Sequence, residues 1–329
     1  MRTLIITVLA ACLTSLLLGY ILFPIYKKFG MRQHINKLGP GSHMEKQGTV
    51  TMGGVVFVVA AIVISAVFML FNLDGGHFFF FCLIVTLLFT LIGFADDYTK
   101  FKLKRSDGLS PRQKLLPQIF FAVLLSVFAY LSPDIGSQLI IPFTRVKIDI
   151  GIFYIPLCAF MQVAMVNSAN LLDGLDGLCA KCSLLDFAAF AVIALGLADG
   201  VLTADYTSAA LFAAAFCGAL IGFLRYNAHP GQWFMGDTGS FAIGGALAAL
   251  AICTRLMLLL PFIALAMVVS SVSDILQLLY MRRHNGRKLL RMSPLHHHLE
   301  LSGMPETRII TLYTISTALI CLAAVTAYI

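Results

Sequence analysis

Phe78-Phe79-Phe80-Phe81-Cys82-Leu83-Ile84-Val85-Thr86-Leu87-Leu88-Phe89-Thr90-Leu91-Ile92-Gly93-Phe94-Ala95 runs without a charge and then meets Asp96-Asp97, with Lys100 just beyond. A stretch this long and apolar approaches the roughly 20 residues that a helix needs to cross a bilayer. Lipid cannot hydrogen-bond free backbone N–H and C=O groups, so such a segment must be helical. Leu4–Phe23, Gly53–Phe71, Leu115–Leu131, Ile152–Ala169 and Cys182–Leu197 read the same way, as do Ala209–Leu224, Ser240–Cys253, Leu256–Tyr280 and Ile309–Ile329. The expected fold is an all-α polytopic integral membrane protein, one unit over residues 1–329, with about ten transmembrane helices.

Composition agrees. The 329 residues are 59% hydrophobic and 12% charged, with a mean hydropathy of +0.90. Soluble domains carry about 25% charged residues, so a soluble class is excluded. The few polar residues gather in short islands between the spans. Of the 23 Lys and Arg residues, all but Arg2, Arg145, Lys147 and Arg255 lie in the islands that also hold the acidic and histidine motifs. Basic residues mark cytoplasmic loops, which puts these islands in the cytoplasm and both termini outside. The net charge of +7 suits anionic headgroups and phosphorylated substrates, and by itself gives no reason to expect nucleic acid.

On the opposite side, Val146-Lys147-Ile148-Asp149-Ile150 alternates after Leu139-Ile140-Ile141-Pro142, which predicts a small outward-facing β-hairpin. Leu9-Ala10-Ala11-Cys12 has the form of a lipoprotein cleavage box, but the apolar run continues to Phe23 and reads as an uncleaved first helix. Cys179 and Cys182 form one C-x-x-C without a second pair, so packing is the expected role.

Each island has a chemical and a plainer reading. Lys46-Gln47-Gly48-Thr49-Val50-Thr51-Met52-Gly53-Gly54 leads into a span, where small residues and a helix N-terminus suit an anion, or simply make a capped turn. Asp96-Asp97 at a span's end suits Mg²⁺, which takes oxygen ligands and shares them with phosphates. Asn170-Leu171-Leu172-Asp173-Gly174-Leu175-Asp176-Gly177 is too short for a calcium loop and offers side chains for a base edge or ribose, or a capped glycine turn. Asn227-Ala228-His229-Pro230-Gly231-Gln232-Trp233-Phe234-Met235-Gly236-Asp237-Thr238-Gly239-Ser240 is the densest. Phe234 and Trp233 there offer faces for a base, Asp237 and Ser240 flank a helix start, and the plainer reading, a membrane anchor, is stronger for Trp233 than for Phe234. In Pro294-Leu295-His296-His297-His298-Leu299-Glu300, adjacent helical residues diverge by about 100°, which argues against one zinc and for phosphate contacts with Arg291 nearby. Asp274 lies inside a span with Ser270, Ser271, Ser273 and Gln277, and its role stays open.

Together these islands resemble the polyprenyl-phosphate N-acetylhexosamine-1-phosphate transferase superfamily, over nearly the whole chain and in order. The triple-histidine segment is most similar to the phospho-N-acetylmuramoyl-pentapeptide transferase branch. The resemblance implies a homodimer in the bacterial cytoplasmic membrane that joins UDP-MurNAc-pentapeptide to undecaprenyl phosphate, giving lipid I and UMP with Mg²⁺. It implies catalytic roles for Asp96, Asp97 and Asp237, with Asp237 the metal ligand. It also implies nucleotide contacts from Lys46, Asn170, Asp173, Asp176, Asn227, Phe234 and Gln277, and phosphate handling by His296 and His297. Two positions depart from the family pattern: Val50 stands where proline is usual, and Gly231 where alanine is usual. A sister transferase for UDP-GlcNAc is the near rival, and an ion or proton transporter built on Asp274 is the distant one. Direct attack by the lipid phosphate is expected over a covalent aspartyl-phosphate, which sequence leaves open.

Overall fold

The computed structural model describes residues 1–32, 48–71, 76–105, 107–198 and 203–328. The long helices follow the apolar runs: α1 (Arg2–Lys28), α2 (Gly54–Phe71), α3 (His77–Leu103), α4 (Pro111–Leu131), α5 (Tyr154–Leu172), α6 (Leu178–Gly196), α7 (Thr203–Asn227) and α8 (Gly236–Cys253). A short α9 (Leu260–Ile263) precedes α10 (Leu265–Arg283), then come the seven-residue α11 (Leu295–Leu301) and α12 (Glu306–Thr326). Among the described residues, nine helices are long and apolar enough to cross a membrane, and Gly54–Leu70 is a shorter apolar one. This is a multi-pass membrane protein. The stretch Leu256–Tyr280, expected as one span, is divided: Ala264, at φ −87° and ψ 36°, separates α9 from α10.

The core is built on α8, in which every residue from Asp237 to Cys253 is buried. Its sequence is rich in Gly and Ala, which lets neighbouring backbones approach closely where lipid gives no hydrophobic drive between helices. A Cβ added at Gly93 of α3 would lie 2.2 Å from the Asp237 carbonyl oxygen, and one at Gly54 of α2 would lie 2.3 Å from Gly239 Cα. α3, α5 and α2 pack around α8, with α7 against α1, α2 and α6. Outer faces of α1, α4 and α10 present apolar side chains such as Leu13, Phe120 and Ile275, as lipid contact requires.

At the end opposite the basic islands, β1 (Gln138–Ile140) pairs antiparallel with β2 (Lys147–Asp149), Leu139 facing Ile148. The expected hairpin is there. It is anchored by the buried Arg255 guanidinium, which donates to Ile135 O (3.0 Å), Asp134 O (3.0 Å) and Gln138 Oε1 (3.2 Å). All eight cysteines are free, and Cys179 and Cys182 are packed inside the bundle. Trp233 is no membrane anchor. It is fully buried, with its centroid 5.3 Å from Phe23 and 5.2 Å from Tyr26, and its indole N–H donates to Thr51 O (2.9 Å). An aromatic cluster that fixes α1 to the loop before α8 outweighs the interfacial preference of a lone Trp.

Candidate active site

The site begins with a helix end that has no cap of its own. The first N–H groups of any helix lack internal partners, and a negative charge there is favourable. For α8, Asp97 on α3 supplies both: its Oδ1 accepts from Asp237 N (3.1 Å), and its Oδ2 accepts from Thr238 N (2.8 Å) and Thr238 Oγ1 (2.6 Å). Gly236 makes this contact possible. It sits at φ +72°, and a Cβ there would lie 2.4 Å from Asp97 Oδ2.

Capping in this way brings Asp237 beside Asp96. One oxygen from each of Asp96, Asp97 and Asp237 lies within 4.8 Å of the others, and all three residues are buried. Buried carboxylates need opposite charge. Lys100 Nζ lies 2.6 Å from Asp96 Oδ2, 3.1 Å from Asp237 Oδ1 and 3.8 Å from Asp97 Oδ1. Lys114 Nζ lies 3.0 Å from Asp96 Oδ2 and 2.7 Å from Asp237 Oδ2. Asn170 Nδ2 donates to Asp237 Oδ1 and to Ser240 Oγ, both at 3.0 Å. Leu109 N donates to Asp96 Oδ1 (2.7 Å), tying the loop before α4 to the acid. The three acids can hold a metal ion. Asp97 meets the backbone of α8 with both oxygens, whereas Asp96 and Asp237 share the two lysines.

Two further groups sit around this centre. His296 and His297 of α11 lie against the loop that follows α5: a Cβ on Gly174 would stand 2.5 Å from His296 Nε2 and 2.8 Å from His297 Nε2. In the same loop, burial and the like charges of Asp237, Asp97 and Asp176 push Asp173 well above the usual carboxylate range, with Lys100 opposing. Asp176 Oδ2 accepts from Gly231 N (2.8 Å), and Asp176 N donates to Glu306 Oε1 (2.8 Å). His229 Nδ1 completes that group, 3.5 Å from Asp176 Oδ2 and 3.4 Å from Glu306 Oε2.

The residues expected from sequence are thus unequally placed. Asp96, Asp97, Asp237 and Asn170 converge directly. Asn227 is buried, donates to Trp233 O (3.0 Å), and keeps its Oδ1 without a partner among the described residues. Phe234 is half-buried, and its backbone pairs with Val50 O (2.9 Å) and Gly53 N (2.8 Å). A proline at position 50 would keep that carbonyl, so Val50 preserves the contact. Gln277 is engaged by another segment: its Oε1 accepts from Leu289 N (3.1 Å) and Leu290 N (2.8 Å), and its Nε2 donates to Leu290 O (3.2 Å). Lys46 lies outside the described residues. Sequence reasoning missed Lys100 and Lys114 as members of the site, and His229 and Glu306 beside Asp176. Lys100 could have been found, because it is three and four residues from the acids on one helix face.

Comparison with known proteins now decides between kindred chemistries. Residues 79–255 match the model of glycosyl transferase family 4. The phospho-N-acetylmuramoyl-pentapeptide-transferase of Caldanaerobacter subterraneus subsp. tengcongensis is 40% identical over 309 residues, covering 94% of this chain and 93% of that one. The enzyme of the same name from Thermoanaerobacter sp. is 41% identical over 317 residues, 96% of each chain, and that from Clostridioides difficile is 37% identical over 314, covering 95% and 94%. The chain belongs to the phospho-N-acetylmuramoyl-pentapeptide-transferase family. As a member of it, the protein is a transferase. The span matched to glycosyl transferase family 4 holds Asp96, Asp97, Lys100, Lys114, Asn170 and Asp237, so the whole acid and lysine cluster falls inside it. His296 and His297 fall outside that span, and the full-length relatives cover them.

Proposed function

We propose that this transferase moves phospho-MurNAc-pentapeptide from UDP-MurNAc-pentapeptide to undecaprenyl phosphate, releasing UMP and forming lipid I, at the cytoplasmic face of the bacterial inner membrane. The observation that carries the reading is the meeting of Asp96, Asp97 and Asp237 with Lys100 and Lys114 at the basic-rich end of the bundle. Family membership names the reaction, and the cluster supplies what phosphoryl transfer needs, which is positioning and charge neutralisation.

In the reaction, an oxygen of the lipid phosphate attacks the sugar-linked phosphorus. A new P–O bond forms as the bond to the bridging oxygen breaks, and that oxygen leaves with its electron pair on UMP. A phosphate monoester is largely dianionic at neutral pH, so no general base is required. Lys100 and Lys114 hold charge where it develops on the pyrophosphate. Asp237 and Asp96 fit a hard divalent cation, and Mg²⁺ bound there would neutralise the pyrophosphate. Asp97 and Asn170 orient Asp237. His296 and His297, held against the Asp173–Asp176 loop, are assigned to phosphate oxygens, and Asn227 Oδ1, which has no partner among the described residues, is assigned with the Phe234 ring to the nucleobase.

Access for the lipid is supported by an apolar slot between α10 and α12, lined by Leu265, Val269, Leu312 and Ile320 and reaching Leu295 beside His296. Leu265 and Leu312 are exposed at its edge. The transporter reading loses its basis with membership of a transferase family, and Asp274 accepts a hydrogen bond from Ser293 of the loop leading to α11 (2.5 Å). The deciding experiment supplies a panel of UDP-sugars and polyprenyl phosphate to purified protein and measures UMP and lipid-linked product. UDP-MurNAc-pentapeptide is expected to be used far better than UDP-GlcNAc. Asp237→Asn is expected to stay folded and lose Mg²⁺-dependent UMP release, and near-normal turnover in that variant would sink the assignment.

A further inference from the structure

Helix α10 exposes Val272, Ile275, Leu276, Leu278 and Leu279 to lipid, yet carries a carboxylate in their midst. An acid at such a position is costly unless it is engaged. Ser270, Ser273, Asp274 and Gln277 follow the spacing that places residues on one helix face. Three of the four grip the segment that runs back toward the site. Gln277 takes the backbone of Leu289 and Leu290, Asp274 Oδ1 accepts from Ser293 Oγ (2.5 Å), and Ser273 Oγ accepts from Leu295 N (2.9 Å). His296 and His297 follow at once.

These three grips differ in kind. Gln277 and Ser273 bind backbone groups, so they would also accept residues 290–296 in the place of 289–295, where Arg291 and His296 offer the same N–H groups; only the opposite shift fails, since Pro294 has no N–H for Ser273. Asp274 binds a side chain, and Ser293 is the one hydroxyl between Leu289 and Leu295. A hydrogen bond to an ionised oxygen is also stronger than a neutral one. We propose that Asp274 is a positioning residue: by holding Ser293 it fixes the register of residues 289–295, and so sets where His296 and His297 stand against Gly174. The proposal rests on the reading of those histidines as phosphate-handling groups. It gives the intramembrane acid a role in the transfer reaction without contact with substrate.

The test compares Asp274→Val, Asp274→Asn, Ser293→Ala and the double variant Asp274→Val/Ser293→Ala in the full-length protein. Two readouts are taken, steady-state UMP release and hydrogen–deuterium exchange of the peptide covering residues 289–301. Asp274→Val keeps the lipid-facing helix apolar and is expected to lower kcat about tenfold, the cost of one lost charge-assisted hydrogen bond, with KM for the nucleotide sugar within about twofold. Exchange in the peptide should rise. Asn keeps an accepting oxygen and should restore most of both. Ser293→Ala should match Asp274→Val, and the double variant should be no worse. Unchanged exchange in Asp274→Val would overturn the proposal, as would multiplying effects in the double variant. Exchange that rises with no fall in kcat would overturn the link to the reaction. Absence of UMP release by the unsubstituted protein would instead overturn the transferase reading.

Discussion

Replacing Asp97 by asparagine separates two roles that a shared acidic cluster confounds. Its carboxylate uses both oxygens on the start of α8, one for Asp237 N and one for Thr238 N and Oγ1. An amide has one accepting oxygen, so in either orientation its NH₂ group faces a backbone N–H. At least one hydrogen bond to a charged acceptor is lost, worth about 1.5–3 kcal/mol. If that loss falls on the placement of Asp237, kcat drops about 10- to 150-fold, at 1.36 kcal/mol per tenfold. Thermal stability should change less, because the substitution also removes a like charge buried beside Asp96 and Asp237. Thr238→Val removes only the 2.6 Å hydroxyl bond to the same oxygen and leaves the backbone in place. Since both changes act through one contact, the double variant should be faster than the product of the single effects predicts. A coupling of about 1 kcal/mol makes it roughly fivefold faster. The assay is UMP release at saturating concentrations of both substrates, with melting temperature measured on the same samples. Independent, multiplying losses would refute a capping role. A dead Asp97→Asn beside a fully active Thr238→Val would place Asp97 in the chemistry itself.

Other substitutions probe the remaining contacts. Gly174→Ala drives a methyl to 2.5 Å from His296 Nε2. Overpacking of about 1–3 kcal/mol should reduce kcat by fivefold or more without loss of folded protein, and wild-type kinetics would remove the histidines from the site. In Gly231→Ala the new Cβ would lie 2.9 Å from Asp176 Cγ, so the carboxylate must shift; KM for the nucleotide sugar should change severalfold while kcat holds. Exhaustive chelation should stop UMP release and added Mg²⁺ restore it, and turnover that survives chelation would show that the acids need no divalent ion. Arg255→Met strips three acceptors at the far end of the bundle and should cost about 1–3 kcal/mol, seen as a melting temperature several degrees lower with KM unchanged.

The apolar runs made the helices legible because solvation in lipid leaves a long uncharged segment little other choice. Where the rule weakened, so did the reading: the run from Leu256 to Val269 is apolar throughout, and nothing in hydropathy shows that Ala264 breaks it. Asp96, Asp97 and Lys100 share a helix face by spacing alone. Lys114 is different. It enters the site because Ser110 and Gln113 form a capping box that starts α4 one turn before it, while Leu109 N is held by Asp96. The box is visible in sequence, but its distance from Asp237 is not.

What sequence concealed throughout is which glycine faces which acid. Gly93, Gly174, Gly231 and Gly236 each stand where a Cβ would strike Asp237 backbone, a histidine ring, Asp176 or Asp97. In a water-soluble enzyme, such acids could be gathered on loops with solvent to screen them. Here Asp96, Asp97 and Asp237 are buried near the ends of helices, where charge is tolerated because the two lysines face Asp96 and Asp237 and the first amides of α8 face Asp97. The approach of α3 to α8 that creates those pairings requires Gly93 on α3 and the small residues along α8. The glycines and the acids are therefore one device. A methyl group at Gly93 would separate Asp97 from the helix it caps while leaving every carboxylate and both lysines in the chain.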